Sequence, residues 1–122
     1  MKAIVIDDEP AIAETIEIML QRKGWDCVVL HDGVGLDIYL EKFSPDIVIT
    51  DYNLPGEDGL EIARKLKVQG IPCAIITGFL AGKIQEQSAE ITCIQKPFTA
   101  KELNGVINKL LVGHHVINLE KL

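Results

Sequence analysis

Five short aliphatic runs, at 3–6, 27–30, 46–50, 73–76 and 91–94, recur along this chain with segments of helical period between them. A strand buried on both faces of a parallel sheet reads as a continuous Val/Ile run, whereas a strand with one wet face alternates. The rhythm therefore predicts an α/β fold of βα repeats, with five parallel strands and five helices. Right-handed crossovers place those helices on both faces of the sheet, the doubly wound arrangement. At 122 residues the chain suits one domain with a sizeable core.

The helical segments carry their own punctuation. The first begins near Pro10, a residue suited to the first helical turn, sets Ile12, Ile16, Met19 and Leu20 on one stripe, and stops at Gly24. A second is expected over about 34–43, and a third runs through Leu60, Ile62, Ala63 and Leu66 to end before Gly70-Ile71-Pro72. Residues 78–90, GFLAGKIQEQSAE, are expected to hold a short or irregular fourth helix, because two glycines interrupt few well-spaced apolar residues. The fifth opens on a capping box, Thr99-x-x-Glu102, and is expected to stop at Gly113. This divides the chain into a domain at 1–112 and a C-terminal tail at 113–122, either a docking segment or the start of a linker.

Charge and hydropathy exclude several function classes. The net charge is −6 and no cluster of Lys and Arg rises above the scatter, so a phosphate backbone is repelled and direct nucleic-acid binding is not expected. No apolar stretch approaches the ~18 residues of a membrane span, and Met1 to Ile6 is too short for a signal peptide. A cytoplasmic location is the resulting expectation. Cys27, Cys73 and Cys93 lie inside apolar runs without metal-ligand spacing and read as small core residues.

Chemistry concentrates where the aliphatic runs stop: Asp7 and Asp8 after the first, Asp51 after the third, Thr77 after the fourth, Lys96 after the fifth. Singly, each has an ordinary explanation, a helix cap, a turn former, a strand-end hydroxyl or a solvated lysine. Together they emerge at one carboxyl edge of a parallel sheet, where open α/β sheets bind ligands. Crowded carboxylates resist full ionisation unless a cation compensates, and Mg²⁺ does so with hard oxygen ligands. Asp8 would ligate it directly, Asp7 directly or through water, and Asp51 with the backbone carbonyl of Asn53 would complete the set. Asp51 could then attack a phosphoryl group to give an acyl phosphate. Lys96 would neutralise the phosphoryl oxygens and Thr77 would donate to one of them.

In order and spacing these residues, with Pro55, Gly59 and Lys96-Pro97-Phe98, resemble the receiver domain of two-component response regulators across residues 2–112. The resemblance implies a flavodoxin-like sheet of order 2-1-3-4-5 and a cis bond between Lys96 and Pro97. It also implies phosphotransfer to Asp51 from a histidine kinase or phosphotransfer protein. The module would be no enzyme beyond its own phosphorylation and dephosphorylation, and would signal to a downstream effector by a conformational switch, with a phosphorylation-dependent homodimer as one form of output.

Departures from the family pattern bear on the output. Receivers place an aromatic switch residue three positions before the lysine, where this chain has Cys93. The stretch from Thr77 to Lys96 is a few residues short and has Ser88-Ala89 where a Gly-Ala pair is usual, so the fourth-helix surface is expected to be remodelled. A dehalogenase-type phosphatase also uses Asp, Mg²⁺, Thr and Lys, but its second acid is missing from Asp51-Tyr52-Asn53. A mononucleotide-binding domain is poorly served by Gly33-Val34-Gly35 and by Gly82-Lys83-Ile84. The resemblance also implies that Asn53 and Phe79 stand at positions that influence acyl-phosphate lifetime in the family. Phe79 is expected to screen the phosphoryl group from water, so Phe79→Ala should shorten the half-life of the phosphoform in a phosphate-release assay.

Overall fold

The computed structural model describes residues 1–78 and 91–120, with side chains as far as residue 112 in the last helix. The strands are β1 (Lys2–Ile6), β2 (Asp26–Leu30), β3 (Ile47–Asp51), β4 (Cys73–Thr77) and β5 (Thr92–Gln95). The helices are α1 (Pro10–Arg22), α2 (Leu36–Phe43), α3 (Gly59–Val68) and α4 (Ala100–Glu120). All five strands pair in parallel, in the order β2-β1-β3-β4-β5. Both the order and the cis Lys96-Pro97 bond agree with expectation.

Side-chain alternation along each strand sorts the core into two layers. Ala3, Val5, Ile47, Ile49, Ala74 and Ile76 point to one face, where α1 covers them with Ala13, Ile16 and Leu20 and α4 with Leu103, Ile107 and Leu110. On the opposite face Ile4, Ile6 and Val48 meet Leu36 of α2 and Ile62 and Leu66 of α3. Ile75 joins Leu60, Ala63 and Ile91 there in a smaller cluster. Apolar residues on both parities of a strand are what a doubly covered sheet demands.

Among the described residues there are four helices, not the five expected; apart from Gly78, the segment of the expected fourth, at 78–90, lies outside the described residues, as does Phe79. Two other expectations need correction. Helix α2 starts at Leu36 rather than at 34, because Gly35 takes a left-handed φ of 83° that no helical turn accommodates. Helix α4 does not stop at Gly113 but runs to Glu120, so the boundary drawn at 112 falls inside it. An interior glycine costs a helix about 1 kcal/mol without breaking it, and no proline follows to enforce a stop. Its start does follow the expected capping box: the Glu102 N–H donates to Thr99 Oγ1 at 3.1 Å, and the Thr99 N–H to Glu102 Oε1 at 3.3 Å.

The loop between β3 and α3 is folded tightly over the strand end. The Gly59 N–H donates to the Tyr52 carbonyl at 2.8 Å, Asp58 caps α3 by accepting from the Glu61 N–H at 2.9 Å, and Lys65 pairs with Glu57 at 3.0 Å. A Cβ at Gly59 would overlap the carbonyl oxygen of Asp51. Gly59→Ala is therefore expected to lower stability by about 1–3 kcal/mol, as overpacking does. Gly105→Ala, inside α4 with nothing near its Cβ, is expected to raise it by about 0.5–1 kcal/mol; urea midpoints of both variants check the pair.

Candidate functional site

Strands that run the same way end at the same edge, and the register makes this edge specific. Asp51 closes β3 beside Ile76, Thr77 closes β4 beside Gln95, and the Lys96 N–H donates to the Thr77 carbonyl at 2.7 Å. Asp7 follows directly on β1, its N–H donating to the Leu30 carbonyl at 3.0 Å. Asp7, Asp8, Asp51, Thr77 and Lys96 are thereby brought to one edge. One carboxylate oxygen each from Asp7, Asp8 and Asp51 lies within 4.8 Å of the others. Lys96 Nζ stands 3.1 Å from Asp51 Oδ1, 3.7 Å from Asp7 Oδ2 and 3.8 Å from Glu9 Oε1.

Burial sharpens the electrostatics. Asp7 is 1% and Asp51 4% exposed, while Asp8 faces solvent. Desolvation pushes the Asp7 carboxyl above its ordinary range, opposed by the Glu9 N–H on Oδ1 and reinforced by the neighbouring Asp51. Asp51 is likewise raised by burial, against the hydrogen bond and charge of Lys96. For Lys96 burial pulls the ammonium down, but Asp51, Asp7 and Glu9 together outweigh it and the net direction is up. One ammonium thus faces several carboxylates, and it cannot neutralise them all.

Among the described residues, two buried atoms at this edge, Asp7 Oδ2 and Thr77 Oγ1, have no hydrogen-bond partner. An orphaned buried polar atom costs about 1–3 kcal/mol, which a guest can recover. A carboxylate oxygen calls for a cation, and a hydroxyl can donate to an anion. The donor set, all oxygen and overcharged, fits Mg²⁺. Asn53 stands exposed in the loop after β3, and among the described residues it makes no hydrogen bond to the other members.

Two participants escaped the sequence reading. Glu9 contributes both its N–H, 2.9 Å from Asp7 Oδ1, and its carboxylate near Lys96; its place directly after the acidic pair was the available signal. His31 places Nδ1 3.0 Å from the Asp7 carbonyl, and only the pairing of β2 with β1 reveals that. The cysteines behave as core residues: burial pushes the Cys27 and Cys73 thiols up to about 12 and raises Cys93 as well.

Raised carboxyl pKa values make ionisation a net cost to folding. The stability is fully present while both states are protonated, below the unfolded value, and is lost as pH rises through the folded value. In metal-free buffer near neutral pH, Asp51→Asn is therefore expected to raise the thermal midpoint by a few degrees. The gain should shrink as pH falls towards the ordinary carboxylate range near about 4, which melts across that interval would show.

Comparison with known proteins places this geometry. Residues 3–108 match the family described as the response regulator receiver domain. The chain is 31% identical over 106 residues to the DNA-binding response regulator MtrA of Mycolicibacterium smegmatis, covering 84% of this chain and 46% of that protein. It is 28% identical over 116 residues to the transcriptional regulatory protein TrcR of Mycobacterium tuberculosis, covering 91% and 45%. The chain thus spans about half the length of the curated relatives it matches. Among solved structures, a response regulator receiver domain protein from Clostridium thermocellum superposes with a TM-score of 0.82 at 30% identity, covering 95% of this chain and 98% of that one. With the acidic edge, the parallel order and the matched residues in agreement, the chain belongs to the response regulator receiver domains of two-component signalling.

Proposed function

We propose that residues 1–112 form a phosphoacceptor module in which Asp51 takes a phosphoryl group from a histidine kinase or phosphotransfer protein and so biases a conformational equilibrium. The observation that carries this reading is the Asp51 carboxylate itself: nearly buried at a strand end, 3.1 Å from an ammonium and clustered with two further carboxylates. Its attacking oxygen forms a P–O bond as the P–N bond of the donor phosphohistidine breaks, and the imidazole departs neutral after taking up a proton. Lys96 meets the charge carried in by the phosphoryl oxygens. The Thr77 hydroxyl, without a partner among the described residues, donates to one of them. Mg²⁺, held by Asp7, Asp8, Asp51 and the Asn53 carbonyl, would supply charge neutralisation at the transferring group.

The output of the switch operates without an aromatic residue at position 93. Cys93 packs with Tyr52 and Cys73 against Leu60, Ala63, Ile75 and Ile91. A half-buried thiol that small has no large rotamer swing to offer, so the bias acts through backbone and packing around Thr77 and Tyr52. The net charge of −6 argues against nucleic-acid contact by this domain, leaving a protein or a further domain as the effector and a second phosphorylated copy as an alternative receiver of the signal. No helix among the described residues is long and apolar enough to cross a membrane; with a kinase as donor, the cytoplasm is the proposed site of action.

Intact-mass analysis after incubation with a small-molecule phosphodonor tests the chemistry. Wild type with Mg²⁺ should gain one phosphate-sized increment. Chelation of the metal, or Asp51→Asn, should abolish it, and a full increment on Asp51→Asn would overturn the assignment. Turnover of a generic phosphomonoester would point instead to a phosphatase.

A further inference from the structure

The chain leaves the edge strand β2 through His31, whose ring turns back towards β1. Nδ1 lies 3.0 Å from the backbone carbonyl of Asp7. A carbonyl oxygen only accepts, so Nδ1 carries the hydrogen. The residue before it, Leu30, accepts from the Asp7 N–H at 3.0 Å. The end of β2 therefore grips Asp7 on both of its backbone polar groups, and the carbonyl held by His31 belongs to the peptide that leads into Asp8.

The three clustered carboxylates are held unequally. Asp51 Oδ1 is tied to Lys96, and Asp7 Oδ1 accepts from the Glu9 N–H at 2.9 Å. Asp8 is the exposed member, and among the described residues no hydrogen bond or ion pair holds its carboxylate. The direction of Asp8 therefore depends on the plane of the Asp7–Asp8 peptide, and among the described residues the imidazole is the side chain that hydrogen-bonds its carbonyl. On the reading that Asp7, Asp8 and Asp51 hold Mg²⁺, we propose that His31 is a positioning residue for the metal site, aiming Asp8 by hydrogen-bonding the peptide in front of it. Partners one step removed from a metal often contribute as much as tenfold or more to affinity because they spare the ligands an ordering cost.

A bond that merely pinned β2 to β1 would leave metal affinity unmoved, so two variants of nearly equal shape separate the possibilities. His31→Asn places an amide N–H where Nδ1 stood, whereas His31→Leu fills similar space and donates nothing. Mg²⁺ binding is read by isothermal titration calorimetry on the wild-type chain and both variants, with thermal melts in chelator as the folding control. We expect the leucine variant to bind roughly three- to tenfold more weakly, the asparagine variant to stay within about twofold of wild type, and the metal-free melts to agree closely, as suits an exposed position. With a small-molecule phosphodonor, the leucine variant should phosphorylate slowly at low Mg²⁺ and recover at saturating Mg²⁺.

Equal affinity in wild type and leucine variant overturns the role of His31, as does an asparagine variant as weak as the leucine one. A wild-type chain that takes up no Mg²⁺ overturns the metal assignment itself and this inference with it. His31→Ala, which leaves no side chain to mispack, replaces the leucine variant if that one fails to fold.

Discussion

Among the described residues, the ammonium of Lys96 is the one cation set among the carboxylates at the carboxyl edge of the sheet, within 4 Å of Asp51, Asp7 and Glu9. Removing it would leave buried negative charges facing one another in a poorly solvated pocket, where repulsion is strongest. Its presence does not complete the neutralisation, and that shortfall is the chemically useful feature. A site that stays short of positive charge when folded attracts cations for the same reason that it opposes folding. The charges of Asp7 and Asp51 are a cost that the rest of the molecule must offset.

The offset comes from the two apolar layers. Ala3, Ile4, Val5 and Ile6 of β1 are all fully buried, as are Ile47, Val48 and Ile49 of β3, and the two strands lie side by side at the centre of the sheet. Asp7 and Asp51 are thus carried by deeply buried central strands. Such placement restricts the carboxylates to a small range of positions without asking their own side chains to supply the order. Lys96 follows directly on β5 at the sheet margin, Thr77 closes β4 between them, and the backbone bond from Lys96 to Thr77 locks these two together. The Asp51 carbonyl also constrains the following loop, since only glycine at 59 lets α3 begin where it does.

Local chemistry made some elements plain and left others obscure. Pro10 opening α1, Gly24 closing it and the Thr99–Glu102 box each act within a few residues, so their effect can be read directly from neighbouring letters. Gly113 misled because a glycine's helical cost is small against the remaining turns of α4. The start of α2 misled because the left-handed φ of Gly35 is a backbone choice that composition only permits. Asp58 as the cap of α3 was hidden in an acidic, glycine-rich loop where several residues could have served.

The order of aliphatic runs and the polar residue closing each one determined, without any coordinates, that Asp7, Asp8, Asp51, Thr77 and Lys96 share an edge, because parallel strands in a doubly covered sheet leave no other place for them. Distances, burial and partners were decided only by the tertiary structure. That Lys96 sits nearer Asp51 than Asp7, that Glu9 joins the ion pairs and that His31 holds the Asp7 carbonyl all depend on strand register and loop paths. Those are properties of residues far apart in the chain, whose meeting is set by the packing of the whole sheet and by no local preference.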